Sequence, residues 1–506
     1  MKFISSHIQN DISKGLQKEY FVYFVPRRTV VCEKIFEEEK VHHLLTLGEY
    51  PLYALPLDED VLSFDLDYSF RECQVDGDMS SLWHVAKAIH KLELSFGIIP
   101  NLRAKGKAST KVAEILTCMQ EEEPVNSSEM GAAEINTLIL IDREVDMVTP
   151  MCFQLTYEGL LDEILQISNG SVEVDTSVMG SQQDGKKIKI PLNSSDKLYK
   201  EIRDLNFEVV VQVLRQKATS IQQDYAEVKS TSQSVSELKD FVKKLNSLPE
   251  IARHVNLAQH LQTFTCKPSF HARLDIEQTL LEMQNFDICF EYIEEMIHKQ
   301  EPIINVLRLL VLFSITNSGL PKKNFDYLRR EILHSYGFEH MSTLYNLEKS
   351  GLFKKQETRS NWLAITKALQ LISDETDTAN PNDISYIFSG YAPLSIRLVQ
   401  HAIRSGWRSI EEILKLLPGP HLDLKRGGST SSSSDMLQGG QPIPDRVADG
   451  RRALALVVFI GGVTFAEIAA LRFLSSQEGT GYDFIVGTTK MVNGNTLIET
   501  LIPNNS

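Results

Sequence analysis

The sequence predicts an α/β fold in which a parallel sheet is interrupted by a long helical block, and three stretches carry that prediction. Residues 454–474 (LALVVFIGGVTFAEIAALRFL) run apolar and β-branched up to Ile460 and break at Gly461-Gly462. They resume with Phe465, Ile468, Ala469 and Phe473 at helical spacing, and a further apolar run follows at 482–488. Strand, tight turn, helix and strand make a βαβ unit, with Thr464 placed to cap the helix. A second apolar run, 135–141 (INTLILI), reads as a strand buried on both faces, as parallel sheets require. Between the two, residues 205–352 are largely helical in period.

Length alone would let 454–474 cross a bilayer, which takes about 20 apolar residues. The glycine pair, Glu467 and Arg472 interrupt it, so it belongs to a protein core. A chain of 506 residues has room for roughly two to four domains. Its 42% hydrophobic and 24% charged residues are those of an ordinary globular protein. Against nucleic acid stands the balance of 52 basic to 67 acidic residues, since phosphate binding needs clustered Lys and Arg. Cys32, Cys73, Cys118, Cys152, Cys266 and Cys289 lie far apart without CxxC spacing and read as free thiols of a reducing compartment. No secretory signal opens the sequence and no lipidation motif closes it, so membrane association is expected only through partners.

In chain order, a helical stretch precedes residues 20–25 (YFVYFV) and 29–32, which read as strands around Pro26. Almost nothing comes before them, so a sheet edge begins abruptly. Residues 42–118 mix short strands at 50–55 and 61–64 with an amphipathic helix near 80–92, and a polar acidic loop covers 120–134. Asp142 ends the strand at 135–141; a helix follows at 157–167, and the Gly/Ser/Asp-rich residues 168–196 read as loop. Leu205, Val209, Val213, Ile221, Tyr225 and Val228 then recur at three- and four-residue steps. After the polar break KSTSQSVS (229–236), Leu238, Phe241, Val242, Leu245 and Leu248 resume, then Ile251, Val255 and Leu261. Two amphipathic helices joined by a polar turn make an αα-hairpin with an exposed tip. Helices follow at 303–315, ended by Asn317-Ser318-Gly319 with Pro321 beyond, at 326–334 and at 338–349. Residues 385–403 return to strand, turn and helix, and 425–450 are a Gly/Ser/Pro-rich loop. No internal repeat is found.

Catalytic motifs are fragmentary. LILID (138–142) looks like a Walker B strand, but Gly106-Lys107 lacks the rest of G-x-x-x-x-G-K-[ST], so Asp142 reads as a loop cap. Gly461-Gly462 does not extend to G-x-G-x-x-G and reads as a tight turn with close helix packing. There is no G-x-S-x-G. His42-His43, His254, His260 and His271 lack acidic or Cys companions at metal spacing and read as surface residues. A nucleotide-dependent α/β enzyme is thus the weaker alternative to a binding scaffold.

Four segments, LILIDREVDMVTPMCFQLTYEGLLDEI (138–164), PKKNFDYLRREILHSYGFEHMSTLYNLEKSGL (321–352), DISYIFSGYAPLSIRLVQ (383–400) and FIGGVTFAEIAALRFL (459–474), closely resemble the SM (Sec/Munc) family of SNARE-binding proteins. LTYEGLLDE and YGFEHMSTLYNLEKSGL resemble its vacuolar protein sorting-associated 33 branch, and the resemblance covers nearly the whole chain. It implies an SM-type arch: a remnant of an N-terminal α/β domain (1–45), a discontinuous parallel-sheet domain (46–165 and 380–506) and a helical insertion (166–379). The first α/β domain, one wall of the arch that holds syntaxin-type SNAREs in the family, is expected to be mostly missing. The strands left behind would expose apolar surface and unpaired backbone groups.

By the same resemblance the chain is a non-enzymatic SNARE chaperone of the HOPS and CORVET tethering complexes, without cofactor or metal. It would sit peripherally on late endosome and lysosome or vacuole membranes. The hairpin, with Asp224, Lys229, Ser236 and Lys239, is the candidate SNARE-binding surface. The segment from Arg329 to Leu347, with Tyr336, Phe338 and Met341, is the candidate surface for the α-solenoid subunit vacuolar protein sorting-associated 16. There Phe338, Met341 and Leu344/Tyr345 form one stripe, and the aromatic-plus-Arg makeup is that of binding hot spots.

Overall fold

Period-two alternation organises the first of two compact units, Met1–Leu55, around a pair of parallel strands in the computed structural model. The structure describes residues 1–124, 133–180, 186–228, 248–373, 375–426 and 452–503. Strand β1 (Tyr20–Phe24) pairs with β2 (Leu45–Glu49) from Tyr20↔Leu45 to Phe24↔Glu49. Helices Lys2–Ser13 and Val30–Glu38 contribute Ile8 and Phe36 to a small core with Phe24 and Val41, against which Tyr20, Val22, Leu45 and Leu47 pack. The alternate residues Phe21 and Tyr23 point the other way and are 59% and 66% exposed. Residues 29–32, expected as a strand, instead open the helix Val30–Glu38. Thr29 caps it by accepting the Cys32 N–H at 3.4 Å, and helix formers from Glu33 to Glu38 outweigh the β-branched start.

An uncovered parallel pair is unusual, because parallel sheets normally carry layers on both faces. Replacing Phe21 and Tyr23 together by Thr keeps strand propensity and removes the aromatic surface. This variant is expected to self-associate less than wild type in sedimentation velocity across a concentration series. Equal association would show that this face is not the one that sticks.

The second unit, Pro56–Ser506, is built on a seven-stranded sheet of order β3-β4-β11-β10-β6-β5-β9. From the first half of the chain come β3 (Leu55–Asp58), β4 (Val61–Ser63), β5 (Asn101–Lys105) and β6 (Ile135–Asp142). From the second come β9 (His421–Lys425), β10 (Ala453–Ile460) and β11 (Tyr482–Thr488). The central pairs are parallel, with β10 between β6 and β11; β9 closes one edge antiparallel to β5. β6 and β10 are buried on both faces, which is why their sequences are unbroken apolar runs. Gly461 and Gly462 have φ of +100° and +114°, and a Cβ on Gly462 would lie 2.5 Å from Val492. Thr464 and Glu467 then form a capping box that starts the helix Phe465–Ser476.

Several expectations need correcting. The strand placed at 50–55 does not form: β2 ends at Glu49, and the chain re-enters a sheet only at β3, an edge strand that tolerates Pro56. Residues 168–196 are not simply loop, for β7 (Ser171–Asp175) and β8 (Lys187–Pro191) pair antiparallel and bury Val172, Val174 and Ile190. Ile384–Phe388 is a 3-10 helix rather than a strand; Asp383 caps it by accepting the Ser385 N–H at 3.0 Å. The helices expected at 326–334 and 338–349 are Lys322–Tyr336 and, after a 3-10 turn at Phe338–His340, Met341–Lys349.

Helical block and sheet share one core. Leu309, Leu310 and Phe313 of the helix Ile303–Thr316 lie in the same buried cluster as Ile139, Val457 and Leu471. The hairpin helices Phe207–Val228 and Leu248–Thr265 root separately. Phe207, Val210, Leu214, Leu257 and Leu261 pack with Tyr157 and Tyr199.

Candidate interaction surfaces

Asp142, at the end of β6, is where a nucleotide-binding reading would place a metal ligand. Its carboxylate instead accepts the N–H groups of Ala108 (2.7 Å) and Ser109 (2.6 Å) and the Ser109 hydroxyl, at the start of the helix Lys107–Glu122. Burial pushes its pKa up to about 7 against the pull of these donors. A helix N-terminus that could hold a phosphate is therefore filled by the chain's own carboxylate. Gly106, at φ +113°, leaves no room for more: a side chain there would run into Asp142. No group of three His, Cys, Asp or Glu at metal-holding spacing occurs among the described residues.

The carboxyl end of β10 is likewise closed. Arg143, fully buried, holds Glu467 through two hydrogen bonds of 2.8 and 2.9 Å, and Ser395 also donates to Glu467. This lock ties β6, the helix Phe465–Ser476 and the helix Leu394–Arg404 together; it offers no open donor to a ligand. Buried charge of this kind specifies packing rather than chemistry.

His254 is not a surface residue. It is fully buried at the hairpin root, with Nδ1 2.9 Å from the Tyr157 hydroxyl and Nε2 3.0 Å from Asp196. Asp196 also caps the helix Lys197–Ile202, accepting the Tyr199 N–H at 3.0 Å, and the Tyr199 ring stacks on His254. Burial holds this imidazole below its usual pKa despite the carboxylate. One titratable cluster thus joins the helices Tyr157–Leu165, Lys197–Ile202 and Leu248–Thr265 at the hairpin root.

Beside that root a cleft of about 630 Å³ opens between the hairpin and the helix Pro268–Leu281. Phe207, Val211 and Phe270 give it an apolar floor, and Arg215, Gln262 and His271 a polar margin. Sequence reasoning named only His271 among these, as a surface residue, because the cleft's lining meets only in the fold. Of the residues it did single out, Asp224 lies within the helix Phe207–Val228, with its side chain outside the description. Lys229, Ser236 and Lys239 lie outside the described residues altogether.

The other candidate surface divides sharply. Phe338, Met341 and Tyr345 share a face and are 66%, 48% and 58% exposed, whereas Leu344 is 1% exposed and sits in the core. Arg329 is engaged with Glu348 at 3.3 Å, joining helices Lys322–Tyr336 and Met341–Lys349. Tyr336 is half-buried and donates its hydroxyl to the Glu301 carbonyl at 2.5 Å. Arg329 and Tyr336 therefore set the platform, and Phe338, Met341 and Tyr345 project from it.

The sequence profile of the Sec1 family matches residues 1–500. The vacuolar protein-sorting-associated protein 33 homolog of Arabidopsis thaliana is 70% identical over 503 residues, covering 99% of this chain and 84% of that protein. Vacuolar protein sorting-associated protein 33A of Rattus norvegicus is 39% identical over 521 residues, with the same two coverages, 99% and 84%. Among solved structures, the Unc18–syntaxin 1 complex from Monosiga brevicollis matches with a TM-score of 0.64 at 15% identity, over 95% of this chain and 82% of that one. The SM protein Vps45 in complex with the Qa SNARE Tlg2 matches at 0.59 and 15% identity, over 99% and 84%. With similarity running through sheet and helical block alike, the chain belongs to the Sec1 family.

Proposed function

We propose that this protein binds SNAREs and promotes their assembly during docking and fusion at endosomes and the lysosome or vacuole, as a subunit of the HOPS and CORVET tethering complexes. The observation that carries this reading is the match of 70% identity along 99% of the chain to a vacuolar protein-sorting 33 homologue. Solved SM proteins of the same fold, bound to syntaxin 1 and Tlg2, support the SNARE part of it. SNARE motifs are disordered until paired, and ordering them costs several kcal/mol of the gross binding energy. A rigid surface that holds helices in register removes part of that cost before the partners meet. In this reading residues 166–379 are the insertion that carries both partner-facing surfaces: the hairpin with its cleft for SNARE helices, and the Phe338 platform for vacuolar protein sorting-associated 16. Among the described residues no helix is long and apolar enough to cross a membrane, so recruitment through those partners is the route proposed.

The direct test follows SNARE assembly by energy transfer between labelled SNARE motifs, with and without the protein. Faster assembly is expected; no binding and no acceleration would overturn the reading. The hairpin can be examined separately by replacing residues 218–250 with a short Gly/Ser turn. The root core from Phe207 to Leu214 remains, so melting should change little while SNARE capture falls about tenfold or more. Undiminished capture would move the SNARE surface elsewhere on the protein.

A further inference from the structure

A cavity of about 340 Å³ lies where the helix Leu394–Arg404 meets the ends of two others, Trp362–Leu369 and Phe465–Ser476. Its wall is mostly polar, with Ala368 and Leu369 the apolar part. Arg397, Gln400, His401 and Arg404 come from one helix, and Gln370 and Gln477 from the two helix ends. Arg397 has only 9% of its side chain exposed, and its guanidinium is fixed on four sides. Nη1 donates to Asp383 Oδ1 and Gln400 Oε1, both at 2.8 Å; Nη2 donates to Asp383 Oδ2 at 2.7 Å and to the Gln370 carbonyl at 3.0 Å. Its Nε is buried without an acceptor.

Charge around the cavity is unbalanced. Asp383 neutralises Arg397; although burial opposes it, that pairing holds the Asp383 carboxyl below its ordinary range. Arg404 is exposed at the margin, and no carboxylate pairs with it among the described residues. His401 is pulled below its usual value by burial first and then by Arg397 and Arg404, so both positive fields reach its ring. What remains is the Arg404 guanidinium, an orphan N–H and four amide side chains, Gln370, Asn382, Gln400 and Gln477, around an open polar space. Gln400 Oε1 already accepts from Arg397, and Gln477 Nε2 donates to the Asn382 carbonyl at 2.9 Å.

We infer that this cavity binds a phosphorylated polyol, with the phosphate on Arg404 and the hydroxyls on the amides of Gln370, Gln400 and Gln477. A guanidinium matches phosphate geometrically and keeps its charge at every physiological pH. Amide side chains both donate and accept, as hydroxyl groups do. A nucleotide fits less well, because the wall presents no aromatic face for a base. The same chemistry comes from two sources, the headgroup of a phosphoinositide lipid or a soluble inositol or sugar phosphate.

The test uses the full chain and three probes. They are glycerophosphoinositol phosphate in calorimetry, inorganic phosphate as competitor, and phosphatidylcholine vesicles with or without phosphatidylinositol phosphate in co-sedimentation. Wild type should bind the glycerophosphoinositol phosphate, with inorganic phosphate competing. Arg404→Glu should weaken binding by about tenfold or more, and Arg404→Lys by less. Melting without ligand should be unchanged in both, since Arg404 is exposed. Vesicle binding lost in Arg404→Glu assigns the site to the lipid; headgroup binding without vesicle binding assigns it to a soluble phosphate. No headgroup binding by wild type, or equal binding by wild type and Arg404→Glu, overturns the inference.

Discussion

Arg308→Met is expected to destabilise the second unit by about 3–5 kcal/mol, the usual penalty for stripping one partner from a buried ion pair. Arg308 is the one charged residue in the apolar helix Ile303–Thr316 and is fully buried. Its guanidinium holds Glu163 through bonds of 2.6 and 2.8 Å. It also donates to the carbonyls of Met151 (2.8 Å) and Cys152 (2.6 Å). Met fills the space of the stem but leaves a buried carboxylate with only the long 3.4 Å bonds from Gln154, and two carbonyls without the Arg308 donor. The measurement is thermal melting with soluble yield, and the expected result is early melting or loss of soluble protein. The double variant Arg308→Met with Glu163→Met removes both charges and should recover much of the loss, because an apolar pair is often as stable as a buried ionic one. If the single variant melts like wild type, Glu163 has found another donor and the lock is dispensable.

Phe338→Asp and Met341→Lys are expected to weaken binding to vacuolar protein sorting-associated 16 by more than about thirtyfold, the 2 kcal/mol scale of an interface hot spot. Far-UV circular dichroism and melting should stay at wild type, because both side chains already face solvent. Leu344→Asp supplies the contrast. It carries the same change one helical step away, into the core, and should cost several kcal/mol and unfold the region. If all three variants behave alike in melting, the distinction between platform and projecting residues is wrong. If the exposed pair changes nothing in a pull-down, the tethering surface lies elsewhere.

How much of this was legible in the sequence depended on burial symmetry. β6 and β10 could be read because strands covered on both faces carry unbroken apolar runs, and the helix after Gly461-Gly462 because its cap and period agree. β5 (NLRAK) could not, since it places Arg103 and the fully buried Lys105 in the sheet. Lys105 is tolerated only because its ammonium meets the carbonyls of Leu417 and Gly419, more than three hundred residues away in sequence. The edge strand β9 was hidden for a related reason: its charged Asp423 and Lys425 look like loop. Among the functional candidates, the projecting side of Phe338, Met341 and Tyr345 could be read as a stripe, but the inward turn of Leu344 could not. The cleft at the hairpin root was invisible, because Phe270, about sixty residues further along the chain, meets Phe207 and Val211 only in the fold.

The pairing of β6 with β10 also sets a schedule. Residue 139 waits for residue 457 before its ladder is complete, and Arg143 waits for Glu467, 324 positions later. Synthesis at about 5–20 residues per second leaves the apolar edge of β6 without β10 for roughly 15–65 s. Contacts of such long range are also the slowest to form once the chain is free. A nascent chain of this topology is therefore a strong client for cellular holdases, and its yield is governed by what shields that half-built sheet during translation.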